Sequence, residues 1–454
     1  MRNRLETQLQ DRPQSLEDAL DMLDEIDWDF RGVDTQYLTH RFHPYPARFI
    51  PQIPMNFIRL FTSPGDIVLD PFCGCGTTLV EALISNRRSI GNDFNPLAVL
   101  ISRAKTTLVP QDELTSAYEI LEHDLEHSRN TNVDDLICRL PHRRLSRVFT
   151  GAVTTRLAAI REALSTLRDE GYLGAYDLAR VALSSIVWSI VEGGSGVFDS
   201  DIIHAFLSRF RMMMRVLADM TRVVGIPPET RVIQGDARRL DLDDESVDLV
   251  VTSPPYVNAL DYYRVHMYNM FWLDMDFAQF RRHEIGSHSR FVPNRFRLLS
   301  QYLGDMFRSL AEMNRVLREY RMCVIVMGNS TVEGELIETH RLLSSMSTAA
   351  GFEHLKTLYR RIDTSRKYTS LEIGKINNEY ILLLRKVSHA YLTAGQDCLV
   401  EEVVRRQLTS LLERMIQPSS TADMTTPAMQ NACRVTKITE ALSRVAQDTR
   451  LRKG

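Results

Sequence analysis

The chain predicts an α/β fold built on a doubly wound, mostly parallel sheet, and three observations carry that expectation. From about 36 to 110, short apolar runs alternate with helix-period stretches, as a parallel sheet covered on both faces requires. Three strand-like runs end in or just before an acid, Asp70, Asp93 and Asp236, and acids at strand ends sit on the ligand-binding edge of an open sheet. A fourth run, Leu249-Val250-Val251-Thr252, opens into Ser253-Pro254-Pro255-Tyr256, a rigid loop with an aromatic tip.

In chain order, residues 14–30 read as a short acidic helix. Asp66-Ile67-Val68-Leu69-Asp70 is a strand that passes through the small-residue loop Pro71–Gly76 into a helix opened by Thr77 and Thr78. The next strand ends at Ser89-Ile90-Gly91-Asn92-Asp93-Phe94-Asn95-Pro96. Residues 111–229 break the alternation with helix-period stretches at 113–127, 152–168, 176–192 and 202–224. This insertion reads as a recognition or oligomerisation element, or as a helical cover over one sheet edge. The sheet resumes at 230 with strands ending at Asp236 and Ser253, followed by a helix running to Trp272-Leu273. An amphipathic helix over 300–318, a buried strand at Met322–Asn329 and a hairpin of Glu353–Arg361 with Asn378–Lys386 complete the core. Beyond Lys386, a helix over 398–416, a linker Gln417–Gln430 and a polar helix over 434–450 form a tail. The expected segments are therefore 1–110, 111–229, 230–386 and 387–454.

Composition narrows the function classes. With 454 residues, 44% hydrophobic, the chain can bury a sizeable core. No apolar run reads as a membrane span, and the amino terminus has no secretory h-region. Six cysteines do not make a disulfide framework in a chain this long, which fits a reducing cytoplasm. Cys73 and Cys75 lack further ligands for a metal, so no metal site is expected. A net charge of −3 means that any grip on nucleic acid must come from local basic surface. Two stretches qualify: Arg281, Arg282, Arg290, Arg295 and Arg297, interleaved with Phe280, Phe291 and Phe296, and the run Arg139, His142, Arg143, Arg144 and Arg147. Arg264 adds a cation just past the Pro-Pro loop.

The loop residues define the chemistry. Glycines let backbone approach a ligand, and a helix amino terminus favours a carboxylate. Asp93, roughly 20 residues past Gly74 and Gly76, is placed to hold ribose hydroxyls, and Asp236 to accept from an adenine amino group. Two prolines leave their carbonyls without competing donors, so Ser253 and the Pro254 carbonyl can accept hydrogen bonds from an NH2 while Tyr256 stacks on a planar base.

Together, Asp70-Pro71-Phe72-Cys73-Gly74-Cys75-Gly76-Thr77-Thr78, Gly91-Asn92-Asp93-Phe94-Asn95-Pro96, Gly235-Asp236-Ala237 and Thr252–Tyr256 resemble motifs I, II, III and IV of the S-adenosylmethionine-dependent DNA amino-methyltransferases. His43-Pro44-Tyr45-Pro46-Ala47-Arg48-Phe49-Ile50-Pro51 resembles their motif X, over the methionine end of the cofactor. The resemblance covers about 36–105 and 230–386. It implies a class I methyltransferase (Rossmann-like) sheet with an antiparallel last strand and S-adenosylmethionine as cofactor. Asp70 and Gly74 would then flank the methionine moiety, Thr77 or Thr78 meet its carboxylate, Asp93 hold the ribose and Asp236 the adenine. His43, Tyr45, Tyr263 and His266 are further pocket candidates.

Serine at the first motif IV position is associated in the family mainly with cytosine-N4 transfer, and Asp or Asn with adenine-N6 transfer. The expected activity is therefore site-specific N4-methylation of cytosine by direct in-line transfer to a flipped base. The alternatives are adenine-N6 or RNA base methylation, and cofactor-dependent DNA recognition without catalysis, against which the intact motifs speak. The resemblance further implies double-stranded DNA as partner, a cognate restriction endonuclease, a prokaryotic cytoplasmic and nucleoid-associated setting, and a monomer or homodimer.

Overall fold

A computed structural model of the protein describes residues 13–128, 149, 151–193, 202–258, 260–287, 293–362, 377–389, 397–416 and 427–450. Seven strands form the main sheet: β1 (Ile67–Asp70), β2 (Arg88–Asp93), β3 (Thr230–Gln234), β4 (Val247–Thr252), β5 (Leu317–Gly328), β8 (Phe352–Arg361) and β9 (Asn378–Lys386). Their spatial order is β3-β2-β1-β4-β5-β9-β8. The first five run parallel, whereas β9 is antiparallel to both β5 and β8. This is the class I methyltransferase sheet, recognised here by strand order and by its antiparallel last strand. A separate small hairpin pairs β6 (Ser330–Val332) with β7 (Glu335–Ile337).

Alternation along the central strands builds two cores. Val68, Leu249, Val251, Val324, Ile381 and Leu383 point to one face, where α1 (Leu16–Asp24) and α2 (Gln52–Phe61) bury Leu23, Phe57 and Ile58. Leu69, Val250, Ile325, Leu382 and Leu384 point to the other, under α11 (Arg295–Val316) and α12 (Thr339–Ala349). Neighbouring residues on one strand feed opposite layers because side chains alternate across a pleat. The tail joins the second layer: α13 (Asp397–Ile416) buries Val400, Val403, Val404 and Leu408 there, on the helical face its spacing predicts. The last helices are α14 (Pro427–Ser443) and α15 (Val445–Arg450). The expected linker is therefore shorter at its end, since 427–430 are already helical; 417–426 lie outside the described residues.

Between β2 and β3 the chain runs through α4 (Pro96–Thr106), α5 (Gln111–His127), α6 (Gly151–Asp169), α7 (Leu173–Gly193) and α8 (Ile202–Val224). These pack with α9 (Tyr262–Trp272) around a third core containing Leu121, Leu157, Ile186, Phe206, Phe210 and Trp272. The inserted helices thus share one core with α4 and α9 of the sheet-bearing unit. Against the expectation from apolar runs, α7 is long and apolar enough by composition to cross a membrane, yet 67% of its apolar window is buried inside the protein.

Candidate active site

The loops that leave β1, β2, β3 and β4 at their carboxyl ends line one cleft of about 840 Å³, open solvent at its mouth included. It lies where strand order reverses between β1 and β4, the switch point at which open α/β sheets take ligands.

At the exit of β1, Asp70 is fully buried and does not reach the cleft wall. It accepts from Thr252 Oγ1 at 2.6 Å, Thr78 Oγ1 at 2.7 Å and the Phe72 N–H at 3.2 Å. Burial outweighs these donors and pushes its carboxyl up to about 7. Asp70 therefore knots β1, β4 and the start of α3 (Thr77–Ile84) together. Thr78 is spent on that knot, whereas Thr77 lines the cleft, so only one of the two threonines faces it. Gly76 caps α3 in the left-handed conformation, φ 76°, which a side chain would resist.

At the exit of β2, Asp93 accepts from the Gly74 N–H and the Asn95 N–H, each at 2.8 Å, which ties the second loop to the first. Burial raises its carboxyl to about 6 against these backbone donors. Asn92 reaches the Pro71 and Gly235 carbonyls, both at 3.1 Å, and so braces three loops at once. At the exit of β3, Asp236 is held by Arg238 Nε at 2.9 Å, and Arg238 also reaches the buried Asp305 of α11 at 2.8 Å. The sequence gives no hint of this clamp, because Asp305 sits in an apolar helical pattern.

The β4 loop places Ser253 and Pro255 on the cleft wall with Tyr45, Ala47, Pro71, Phe72, Gly74, Thr77, Asp93, Phe94, Asn95, Asp236 and Ala237. Arg48, Cys75, Tyr262, Phe280, His283 and Glu284 are among the further wall residues that had not been expected there. Arg48 stands inside the motif X stretch and Cys75 inside motif I, so both were within reach of the sequence. Glu284 was not: it is a buried carboxyl whose Oε1 accepts the Tyr262 N–H at 2.5 Å, and burial raises it to about 8.

Several expected pocket residues sit behind the wall instead. His43 is buried and turns toward the inserted helices, its Nε2 2.9 Å from Ser184 Oγ. His266 Nδ1 lies 3.0 Å from Asn95 Nδ2. Burial drives both imidazoles down to about 3, so both are neutral. Pro44, Gly76, Pro254 and Tyr263 are likewise not on the wall. Tyr256 packs against the second core, and its hydroxyl donates to Glu379 Oε1 at 3.1 Å. Cys73 and Cys75 are free and buried; among the described residues the one cluster of metal-capable side chains is Glu245, Glu319 and His389, with Lys386 Nζ 3.3 Å from Glu245.

The basic stretch divides. Arg264, Arg281 and Arg282 are exposed, Arg281 lying 5.1 Å from the Tyr263 ring centroid. Arg297 does not belong with them: it makes a two-pronged ion pair, 2.6 Å at its shortest, with the fully buried Asp448 of α15. Arg295 opens α11 half-buried, its N–H on Glu333 at 3.1 Å. Phe280 is buried on the cleft wall, and Phe296 is a core residue. Arg290, Phe291 and the run from Arg139 to Arg147 lie outside the described residues.

A family model described as DNA methylase matches residues 6–103. The Type II methyltransferase M.MvaI of Kocuria varians is 24% identical over 419 residues, spanning 79% of this chain and 92% of its own. These matches support the S-adenosylmethionine-dependent DNA amino-methyltransferase family, to which the chain is similar. Other similar proteins share less of the length. M.BsoBI of Geobacillus stearothermophilus is 24% identical over 64% of this chain and 63% of its own, and the DNA adenine methyltransferase YhdJ of Escherichia coli is 38% identical over 15% and 22%. Among solved structures, an S-adenosylmethionine-dependent methyltransferase from Methanosarcina mazei matches 72% of this chain and 95% of its own at 12% identity, with a TM-score of 0.29.

Proposed function

We propose that this DNA methyltransferase transfers a methyl group from S-adenosylmethionine to the exocyclic N4 of cytosine in double-stranded DNA. The observation that carries the reading is the placement of Ser253 on the same cleft wall as Asp93 and Asp236. The donor set suits the cofactor: Asp93 would hold the ribose hydroxyls, Asp236 the adenine amine, and Thr77 at the start of α3 the carboxylate. Bound there, S-adenosylmethionine supplies an electrophilic sulfonium methyl.

The chain's own work is done on the target amine. That nitrogen is a weak nucleophile because its lone pair is delocalised into the ring. The Ser253 oxygen on the cleft wall accepts one of its N–H bonds, draws it toward pyramidal geometry and localises the pair. Methyl transfer then proceeds in line, and the proton leaves afterwards without a strong base. Tyr256 offers its ring to a base taken out of the duplex, and Arg264, Arg281 and Arg282 offer cations to the phosphates.

Mass spectrometry of nucleosides from DNA incubated with the protein and S-adenosylmethionine tests this. N4-methylcytosine is expected, with Ser253→Ala and Tyr256→Ala inactive yet still binding cofactor. N6-methyladenine would replace the base assignment, a reading favoured by the short match to an adenine methyltransferase.

A further inference from the structure

Adenine and a 6-oxo purine differ in polarity at position 6, where an amino group donates hydrogen bonds and an oxo group accepts them. A carboxylate can only accept and so suits the 6-amino form, whereas a guanidinium can only donate and suits the 6-oxo form. On the reading that Asp236 meets the cofactor's adenine, both kinds of group stand at the exit of β3. Asp236 is on the cleft wall, and Arg238 lies two residues on.

Arg238 is shared between two carboxylates. Its Nε lies 2.9 Å from Asp236 Oδ1 and its Nη2 2.5 Å from Asp236 Oδ2. Its Nη1 reaches the other way, to Asp305 Oδ1 at 2.8 Å. The Arg238 and Asp305 side chains are 8% and 3% exposed, against 29% for Asp236. The guanidinium is therefore drawn inward by a buried acid, and the more open carboxylate is what the cleft meets. Two charge-assisted contacts in fixed fork geometry hold it there. The same helix tethers the rest of the loop by separate bonds. Glu312 Oε2 accepts the Leu240 N–H at 2.8 Å, and Arg315 donates to the Leu240 and Leu242 carbonyls at 2.9 and 2.8 Å. The loop thus stays docked on α11 without Asp305, whose ion pair sets the direction of one side chain.

We propose that Asp305 is a positioning residue that makes the cleft selective for a 6-amino purine nucleoside by holding Arg238 away from purine position 6. With Nη1 pinned to Asp305, the guanidinium directs its donors at carboxylates, and Asp236 offers the cofactor an acceptor. Released from Asp305, the same guanidinium would turn past Asp236 and offer its donors to an oxo group.

The test is calorimetric binding without DNA, comparing S-adenosylhomocysteine with the 6-oxo analogue in which inosine replaces adenosine. Wild type should prefer the adenosine ligand by about ten- to a hundredfold, the scale of one hydrogen bond to a charged group. Asp236→Asn should lose most of that preference, because an amide both donates and accepts. Asp305→Asn keeps the shape of the side chain and should lower the preference about fivefold, chiefly by gaining affinity for the 6-oxo ligand. Arg238→Lys, whose ammonium lacks the fork that bridges two acids, should lower it similarly and carries the test if Asp305→Asn does not fold. The double variant Arg238→Met with Asp305→Asn has no guanidinium to release, so its preference should stay within about twofold of wild type. Equal weakening of both ligands in Asp305→Asn and Arg238→Lys would mark a merely structural contact and overturn the proposal. Loss of preference in the double variant would overturn it too. A wild type without preference would overturn the adenine contact of Asp236, and the selectivity assigned to Asp305 with it. Methyl transfer to DNA, measured separately, tests the proposed reaction and leaves these binding ratios unchanged.

Discussion

Gly76→Ala isolates the physical demand that the motif I loop makes on its backbone. Gly76 caps α3 at φ 76°, a conformation that costs an alanine about 1–2 kcal/mol. A Cβ there would also lie 2.8 Å from Ser102 Oγ and 3.0 Å from Ser102 Cα. The hydroxyl can turn away, but the helix backbone of α4 cannot, and forced overpacking of this kind costs about 1–3 kcal/mol more. Gly74 provides the control. It is also left-handed, φ 49°, but its nearest neighbour is Tyr45 Cε1 at 3.5 Å, so alanine there meets only the conformational cost. Both substitutions remove the same freedom from the unfolded chain, and that contribution cancels in the comparison. Gly76→Ala should therefore fall below Gly74→Ala by about 1–3 kcal/mol in urea unfolding, read from the midpoints at constant slope. Because α3 must shift to relieve the clash, and Thr77 moves with it, Gly76→Ala should also bind S-adenosylmethionine more weakly in calorimetry. Equal stability of the two variants would refute the steric argument. A destabilised Gly76→Ala with unchanged cofactor affinity would refute the link from α3 to the cleft.

Three further outcomes follow from the same geometry. Arg297→Met leaves Asp448 buried without its guanidinium; since Arg297 keeps some solvent contact, we expect a loss of about 2–3 kcal/mol, seen as earlier proteolysis of the last helices, with DNA affinity within about twofold of wild type. Asp70 is protonated in the folded state up to about pH 7 but released near 4 when unfolded, so its contribution to stability is complete below pH 4 and lost as pH rises through 7. Asp70→Asn removes that dependence, and its stability relative to wild type should improve by at least about 1 kcal/mol between pH 5 and pH 8; a constant difference would show that the carboxyl is not raised. Ser184→Ala strips the buried partner from His43 and from Asn269 Nδ2, which donates to Ser184 Oγ at 2.8 Å; a cost of about 1–3 kcal/mol is expected in thermal or urea unfolding, and no cost would mean that the inserted helices do not brace motif X.

The elements that a short window of residues dictates were legible in the chain. Apolar runs closed by Asp70 and Thr252 do form β1 and β4, because a strand buried on both faces must be largely apolar. The spacing of Val400, Val403, Val404 and Leu408 sufficed to place one face of α13 in a core. Motif wording also singled out most of the cleft wall, since loops that touch a ligand are written in glycine, proline and small residues. The direction in which a side chain turns was not legible. Thr77 and Thr78 are identical in sequence terms, and a rotation of one helical residue sends the first to the cleft and the second to Asp70. Arg297 reads like Arg281 and Arg282, yet the α15 carboxylate that claims it is 151 residues away. Tyr256 meets Glu379 across 123 residues, and Arg238 meets Asp305 across 67. Composition and period fix which residues leave water, because burial depends on the residue itself. Which polar group satisfies which is a matter of pairing at a distance, and only the tertiary structure brings the partners within reach.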